Sequence, residues 1–203
     1  MIVIIDYGIG NLGSILNMLK RIGADAIVSS DKSDIESADK LILPGVGAFD
    51  SGMINMQKYD FVSLLNQKVI EQKTPILGIC LGMQLFANKS EEGTLPGLGW
   101  FDAEIVKFKL DDSKLKIPAM GWNELNICKP SKLFKDIGDN PRFYFVHSFH
   151  LKCNDSLDIL AETEYGYQYV SAIEKDNIVG VQFHPEKSHK YGLKLFENFI
   201  NLY

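Results

Sequence analysis

The sequence predicts one α/β domain over residues 1–203: a central, largely parallel sheet flanked by helices, with a second half that turns antiparallel and strand-rich. Three observations carry this. Up to residue 88, short apolar runs alternate with stretches of helical spacing, the β-α-β-α order of a parallel sheet. After Gly97 the runs shorten, and Gly, Asn or Asp separates several of them, as in hairpins. No internal repeat, low-complexity tract or linker divides the chain, and its 203 residues, 46% of them hydrophobic, suffice for a full core.

Residues 2–6, "IVIID", read as a buried strand. Apolar residues then recur at Leu12, Ile15, Leu16, Leu19 and Ile22, a helix that Gly23 stops. Residues 26–28 form the second strand, and "SDIE" at 33–36 resembles a capping box opening a short helix. The third strand, 40–43, ends in Pro44 and Gly45. Helical patterns cover 49–57 and 60–72, followed by a fourth strand at 75–79 and a helix at 81–88. In the second half the expected strands are 103–108, 142–147, 159–164, 169–174 and 178–183, with Asp176-Asn177 as the turn between the last two. A helix over about 191–202 closes the chain.

Bulk properties narrow the function. A net charge of −5, spread along the chain, gives no nucleic-acid footprint. No apolar stretch approaches the roughly 18 residues of a membrane span, and residues 2–5 lack the basic flank of a signal peptide. Cys80, Cys128 and Cys153 show neither zinc-ligand spacing nor a disulfide framework, so we expect a cytoplasmic protein with reduced thiols and no metal.

Near the start, Gly8, Gly10 and Gly13 spell G-x-G-x-x-G between a strand and a helix, and Asp31 lies near the position of a ribose-binding acid. A dinucleotide-binding oxidoreductase is therefore one reading. Against it, Asp6 and Tyr7 lengthen the turn, and a dinucleotide fold would usually continue with parallel strands. The alternative is that the glycines permit a close strand-to-helix turn and place Asn11 at an exposed helix start.

The stretch "PILGICLGMQLF" is more informative. Gly78, Cys80 and Gly82 form a nucleophile elbow, G-x-[nucleophile]-x-G, in which the glycines relieve crowding around a strained turn. The helix dipole favours thiolate at Cys80, and the Leu81 amide is positioned toward a developing oxyanion. His184 in "VGVQFHPEKS" is the candidate base, and Glu186 two residues on can orient it. A third segment, "PGVG", offers Gly45, Val46 and Gly47 as further oxyanion donors. The bland alternatives are a buried structural cysteine, a plain His-Pro-Glu loop and a simple β-to-α turn. A cysteine peptidase of similar topology would also keep such an elbow.

"GICLGMQ", "PGVG" and "FHPEKS" resemble the class I (triad) glutamine amidotransferases. Together with "DYGIGNLGS", "GLGW", "MGWN" and "YFVHSF", they are most similar to the glutaminase subunits of imidazole glycerol phosphate synthases, over the whole chain. The resemblance implies Cys80 as nucleophile, His184 as general base then acid, and Glu186 as its orienter. It implies Gln84, Glu92, His147 and Ser148 as binders of L-glutamine, with no cofactor. It further implies a (β/α)8-barrel synthase partner met by Gly8, Gly10, Asn11, Trp122 and Lys187, so that the glycine loop is an interface rather than a nucleotide site. "KSHKYGLKLF" and "IPAMGWNE" look like a variant branch, some of whose relatives supply ammonia for surface-sugar amination.

Overall fold

The computed structural model describes residues 1–111 and 114–203. Strand β1 (Ile2–Ile5) is buried along its whole length, the continuous apolar run of a strand covered on both faces. Val3 and Ile5 pack into one core layer, and Ile2 and Ile4 into the other. β2 (Ala26–Ser29), β3 (Lys40–Leu43) and β4 (Ile76–Ile79) extend this parallel sheet in the order β2-β1-β3-β4. Helix α1 (Leu12–Arg21) covers one layer with Ile15 and Leu19. α2 (Lys32–Ser37), α3 (Phe49–Lys58) and α4 (Phe61–Leu65) cover the other with Ile35, Phe49, Met53, Met56 and Phe61.

Three local expectations change, two of them in this half of the sheet. The cap of α2 is Asp31, whose carboxylate accepts from the Ser33 amide at 2.9 Å; Ser33 is already inside the helix. Asp31, the residue placed near a ribose-binding position, is thus occupied in capping. The helix expected at 60–72 enters through Asp60 at φ 56°, runs as α4, and widens into a π-helical segment over Asn66–Glu71. That widening buries Val69 and leaves Asn66 to accept from the Trp100 indole at 2.7 Å.

Beyond β4 come α5 (Leu81–Gln84), β5 (Lys89–Ser90), β6 (Ala103–Lys107), β7 (Ala119–Glu124), β8 (Asn126–Ile127), β9 (Arg142–His147), β10 (Phe149–Cys153), β11 (Ile159–Glu164), β12 (Gln168–Lys175), β13 (Ile178–Val181) and α6 (His189–Leu202). The main sheet runs β2-β1-β3-β4-β13-β12-β10-β6-β5, with β11 on β12 and β8 on β11; β7 and β9 form a separate antiparallel pair. Strand β13 is parallel to β4, with Val181 beside Ile79, and antiparallel to β12. The last strand of the chain therefore sits next to the fourth. Helix α5 stops after one turn, short of the expected residue 88. The loop after it takes the carbonyls that a longer helix would use: Leu98, Gly99 and Trp100 donate to Leu85, Ala87 and Phe86.

Candidate active site

The site forms where β3, β4 and β13 end side by side. Cys80 follows β4 at φ 55° and ψ −110°, a conformation that costs a non-glycine residue on the order of 1–3 kcal/mol. Its backbone is fixed on both sides: its N–H donates to Val181 at 2.8 Å, and its carbonyl accepts from Gln84 at 3.1 Å. The flanking glycines have separate jobs. A Cβ on Gly82 would stand 1.9 Å from the Leu43 carbonyl, and one on Gly78 would stand 2.5 Å from the Phe86 ring. The elbow is thus wedged between β3 and the segment that follows it. As the first residue of α5, Leu81 has an amide with no helical partner, although the dipole behind it is that of one turn only.

His184 and Glu186 sit on the loop after β13, both almost wholly buried. The His184 Nδ1 is 2.9 Å from Glu186 Oε1, so Nδ1–H donates to the carboxylate and Nε2 is left for Cys80. Burial works against a charged imidazole, yet the nearby Cys80 sulfur and the bonded Glu186 carboxylate carry His184 up to about 10, while Nε2 itself has no hydrogen-bond partner among the described residues. The loop is closed by Ser188, whose hydroxyl donates to the His184 carbonyl at 2.6 Å and accepts from the Tyr144 amide at 3.0 Å.

Cys80 and His184 line a cavity of about 430 Å³, together with Val46, Gly47, Leu81, Gln84, Glu92, His147, Ser148 and Lys187. Gly45 does not line it. It packs beneath, where a Cβ would lie 2.7 Å from the Tyr7 hydroxyl and 2.8 Å from the Gly82 amide. Tyr7, fully buried, donates to the Pro44 carbonyl at 2.7 Å and so braces the turn from the end of β1. Burial, then the nearby Cys80, push its phenol far above the ordinary range. Glu92 reaches the same turn, its Oε2 accepting from the Phe49 amide at 2.8 Å; Asp50 in return accepts from Thr94 and Leu95.

His147 borders the cavity, but its ring is engaged elsewhere. Nδ1 donates to the Phe149 carbonyl at 2.8 Å, leaving Nε2, 3.2 Å from the Tyr169 hydroxyl, as an acceptor. Burial, opposed by that carbonyl bond, lowers it to about 4, with His150 and His184 nearby adding to the shift. The ring is a neutral core group.

In the loop after β1, Gly8 and Gly10 adopt φ of 85° and 132°, and a Cβ on Gly10 would meet Pro44 at 3.1 Å. Asn11 stands at the N-cap of α1 without a side-chain capping bond. Gly13 has open space where a side chain would go, whereas the third glycine of a dinucleotide turn is there for close helix–strand packing. Trp122, 39% exposed, stacks on His189 at 5.4 Å, and Lys187 lies over Tyr144 at 5.5 Å. Sequence reasoning missed two residues of this site. One is Tyr7, an aromatic in a motif read for its glycines. The other is Gln182, fully buried, whose Nε2 is 3.6 Å from the Cys80 sulfur; its only signal is a polar residue between an apolar strand and "FHPE".

A cysteine on a glycine-flanked elbow, on the same cavity as a carboxylate-oriented histidine on an α/β sheet, is the arrangement that acyl transfer through sulfur calls for. The model of the family "Glutamine amidotransferase class-I" matches residues 3–202, and the chain belongs to that family. It is 58% identical over 200 residues to "Imidazole glycerol phosphate synthase subunit HisH 2" of Methanococcus maripaludis, covering 98% of both chains. It is 49% identical to the protein of the same name from Pseudomonas aeruginosa, covering all of both. Among solved structures, a glutamine amidotransferase from Thermotoga maritima shares the fold with a TM-score of 0.65 at 20% identity, over 98% of this chain and 82% of that one.

Proposed function

We propose that this chain is the glutaminase subunit of an imidazole glycerol phosphate synthase, hydrolysing L-glutamine to glutamate and ammonia. The observation that carries the reading is the strained Cys80 facing the buried His184–Glu186 pair across one cavity, in a chain 58% identical end to end to a subunit so named. The Cys80 thiolate attacks the side-chain amide carbon, and the oxyanion takes hydrogen bonds from the Leu81 amide and the turn at Val46 and Gly47. The His184 imidazolium gives its proton to the departing ammonia, leaving a γ-glutamyl thioester. His184 then deprotonates a water that attacks the thioester, and the thiolate leaves as glutamate forms. Glu92, through the oxygen not held by Phe49, takes the substrate ammonium. Gln84 offers its carbonyl oxygen, since its nitrogen is engaged with Phe149 and Gln182. Ser148 lines the carboxylate end of that pocket.

Ammonia released to neutral water is protonated and lost as a nucleophile, so it passes to a (β/α)8-barrel synthase subunit in the cytoplasm. That partner makes imidazole glycerol phosphate and the aminoimidazole carboxamide ribotide by-product of histidine biosynthesis. Its docking face takes in Gly8, Gly10 and Asn11, with Gly10 against Pro44, together with Trp122 and Lys187, the last of which lines the cavity. Exposed Val46, Ile117 and Met120 supply the apolar surface of this face. A second reading, a paralogue feeding surface-sugar amination, draws on relatives that carry the numerals HisH 1 and HisH 2. The test is glutaminase activity with and without the co-encoded barrel protein, alongside growth of a histidine auxotroph lacking its own such subunit. Stimulated activity with restored growth supports the first reading. Stimulation without growth supports the second, and full activity of the isolated chain with no complex refutes the partner model.

A further inference from the structure

The sulfur of Cys80 has a neighbour that the triad does not account for. Gln182, the first residue after β13, is wholly buried. Its backbone N–H donates to the Ser171 carbonyl at 2.9 Å, which locks the residue to β12. Its side chain lies between two partners: Nε2 at 3.6 Å from Cys80 Sγ, and Oε1 at 3.0 Å from Gln84 Nε2.

The two ends of a carboxamide look alike in shape, so the chemistry depends on which end faces the sulfur. The surroundings decide it. The Phe149 carbonyl can only accept, and Gln84 Nε2 stands 3.2 Å from it; the Gln84 NH₂ is therefore a donor on that side. The same NH₂ faces Gln182, which must answer with its oxygen. The Gln182 NH₂ is left pointing at the sulfur. One backbone carbonyl thus sets the polarity of a relay two side chains long.

We propose that Gln182 is a further catalytic residue, which donates a hydrogen bond to the Cys80 sulfur and stabilises it as a thiolate. This deepens the glutaminase reading and rests on Cys80 being its nucleophile. The donor matters twice. Before reaction it raises the fraction of chain carrying the thiolate. When water's tetrahedral adduct collapses, the C–S bond breaks, its electron pair returns to sulfur, and the same NH₂ receives the charge. A donor to a charged group is the strong kind of hydrogen bond, and Gln182, which gives it, is wholly buried.

The test is the pH dependence of iodoacetamide alkylation at Cys80, read by mass spectrometry on the full chain, for the native protein, Gln182→Met and Gln182→Glu. Methionine keeps the length of the side chain without a donor; glutamate replaces the donor by an acceptor. The alkylation midpoint should rise by about one pH unit in Gln182→Met, tenfold in thiolate fraction, and further in Gln182→Glu. Thermal unfolding checks that each variant is folded. The native chain supplies a second measurement: the Gln182 side-chain NH₂ proton resonances should move with the Cys80 titration. A flat NH₂ response, or unmoved midpoints in folded variants, overturns the proposal. If Cys80→Ala instead keeps glutaminase activity, the glutaminase reading fails first.

Discussion

Cys80 and His147 border the same cavity and are held by opposite means. On the parallel side, the controlling feature is missing side chains: Gly82 under the Leu43 carbonyl, Gly78 under Phe86, Gly45 under Tyr7. Neighbours approach these three glycines more closely than any Cβ permits, a backbone carbonyl at Gly82 and aromatic side chains at Gly78 and Gly45. On the antiparallel side, control comes from large side chains. His147 and His150 are tied to Tyr169 and Tyr167 and packed around Phe108. One region places a reactive atom by excluding side chains; the other supports a wall by interlocking them. The lesson is that each should fail differently, the first through sterics and the second through titration.

The largest effect tests the junction of the two regions. Cys80→Ala should abolish glutamine hydrolysis, and His184→Ala should cost nearly as much, about 10⁴- to 10⁶-fold in kcat, because triad members act as a unit. Glu186→Gln should cost less, as it orients and does not react. A steady-state ammonia assay checks this, and substantial turnover by Cys80→Ala would remove the assignment.

Next comes Gly82→Ala. Relieving a 1.9 Å approach to the Leu43 carbonyl means displacing backbone, and overpacking of this kind costs about 3 kcal/mol or more. Denaturant unfolding should show it, and a midpoint equal to the native one would show that the elbow is not wedged as described.

The smallest effect is on the antiparallel side and appears only in acid. His147 is held at about 4 when folded, against about 6.5 unfolded. The unfolded state therefore binds more protons between these values. Stability should be fully present above pH 6.5 and decline as pH falls through about 4, by up to roughly 3 kcal/mol. His147→Asn should flatten that decline in a series of unfolding curves; a parallel decline in both proteins would assign it elsewhere.

How much of this was legible depends on the same contrast. Glycines at 78 and 82 around Cys80 speak through spacing alone, so the elbow could be read directly; His184 and Glu186, an ordinary loop by themselves, stood out as a candidate pair only beside it. Strands β1, β3 and β4 were equally readable, because burial on both faces makes them continuous apolar runs. The short strands β5 and β8 carry too few residues for a pattern. β7 is interrupted by Gly121 at φ 137°, and β10 hides a buried His150 in its alternation. The ring of His147 could be assigned to the core only once Tyr169, on a strand of the main sheet, was seen beside it. Gln182 and Tyr7 likewise depend on contacts 102 and 37 residues away in sequence.

Glu92 holds the Phe49 amide, the first of α3, and lines the cavity, where the proposed function gives its other oxygen to the substrate ammonium. One carboxylate thereby divides its electron density between a helix and a guest. Any cation that draws on it weakens its hold on the helix start, and any shift that tightens the helix start weakens its hold on the cation. Occupancy and backbone are tied by thermodynamic reciprocity, and the segment on the other end of that tie is the short stretch from Val46 to Phe49. If Glu92 takes the substrate ammonium as proposed, an empty pocket and a filled one would leave this stretch under different tension.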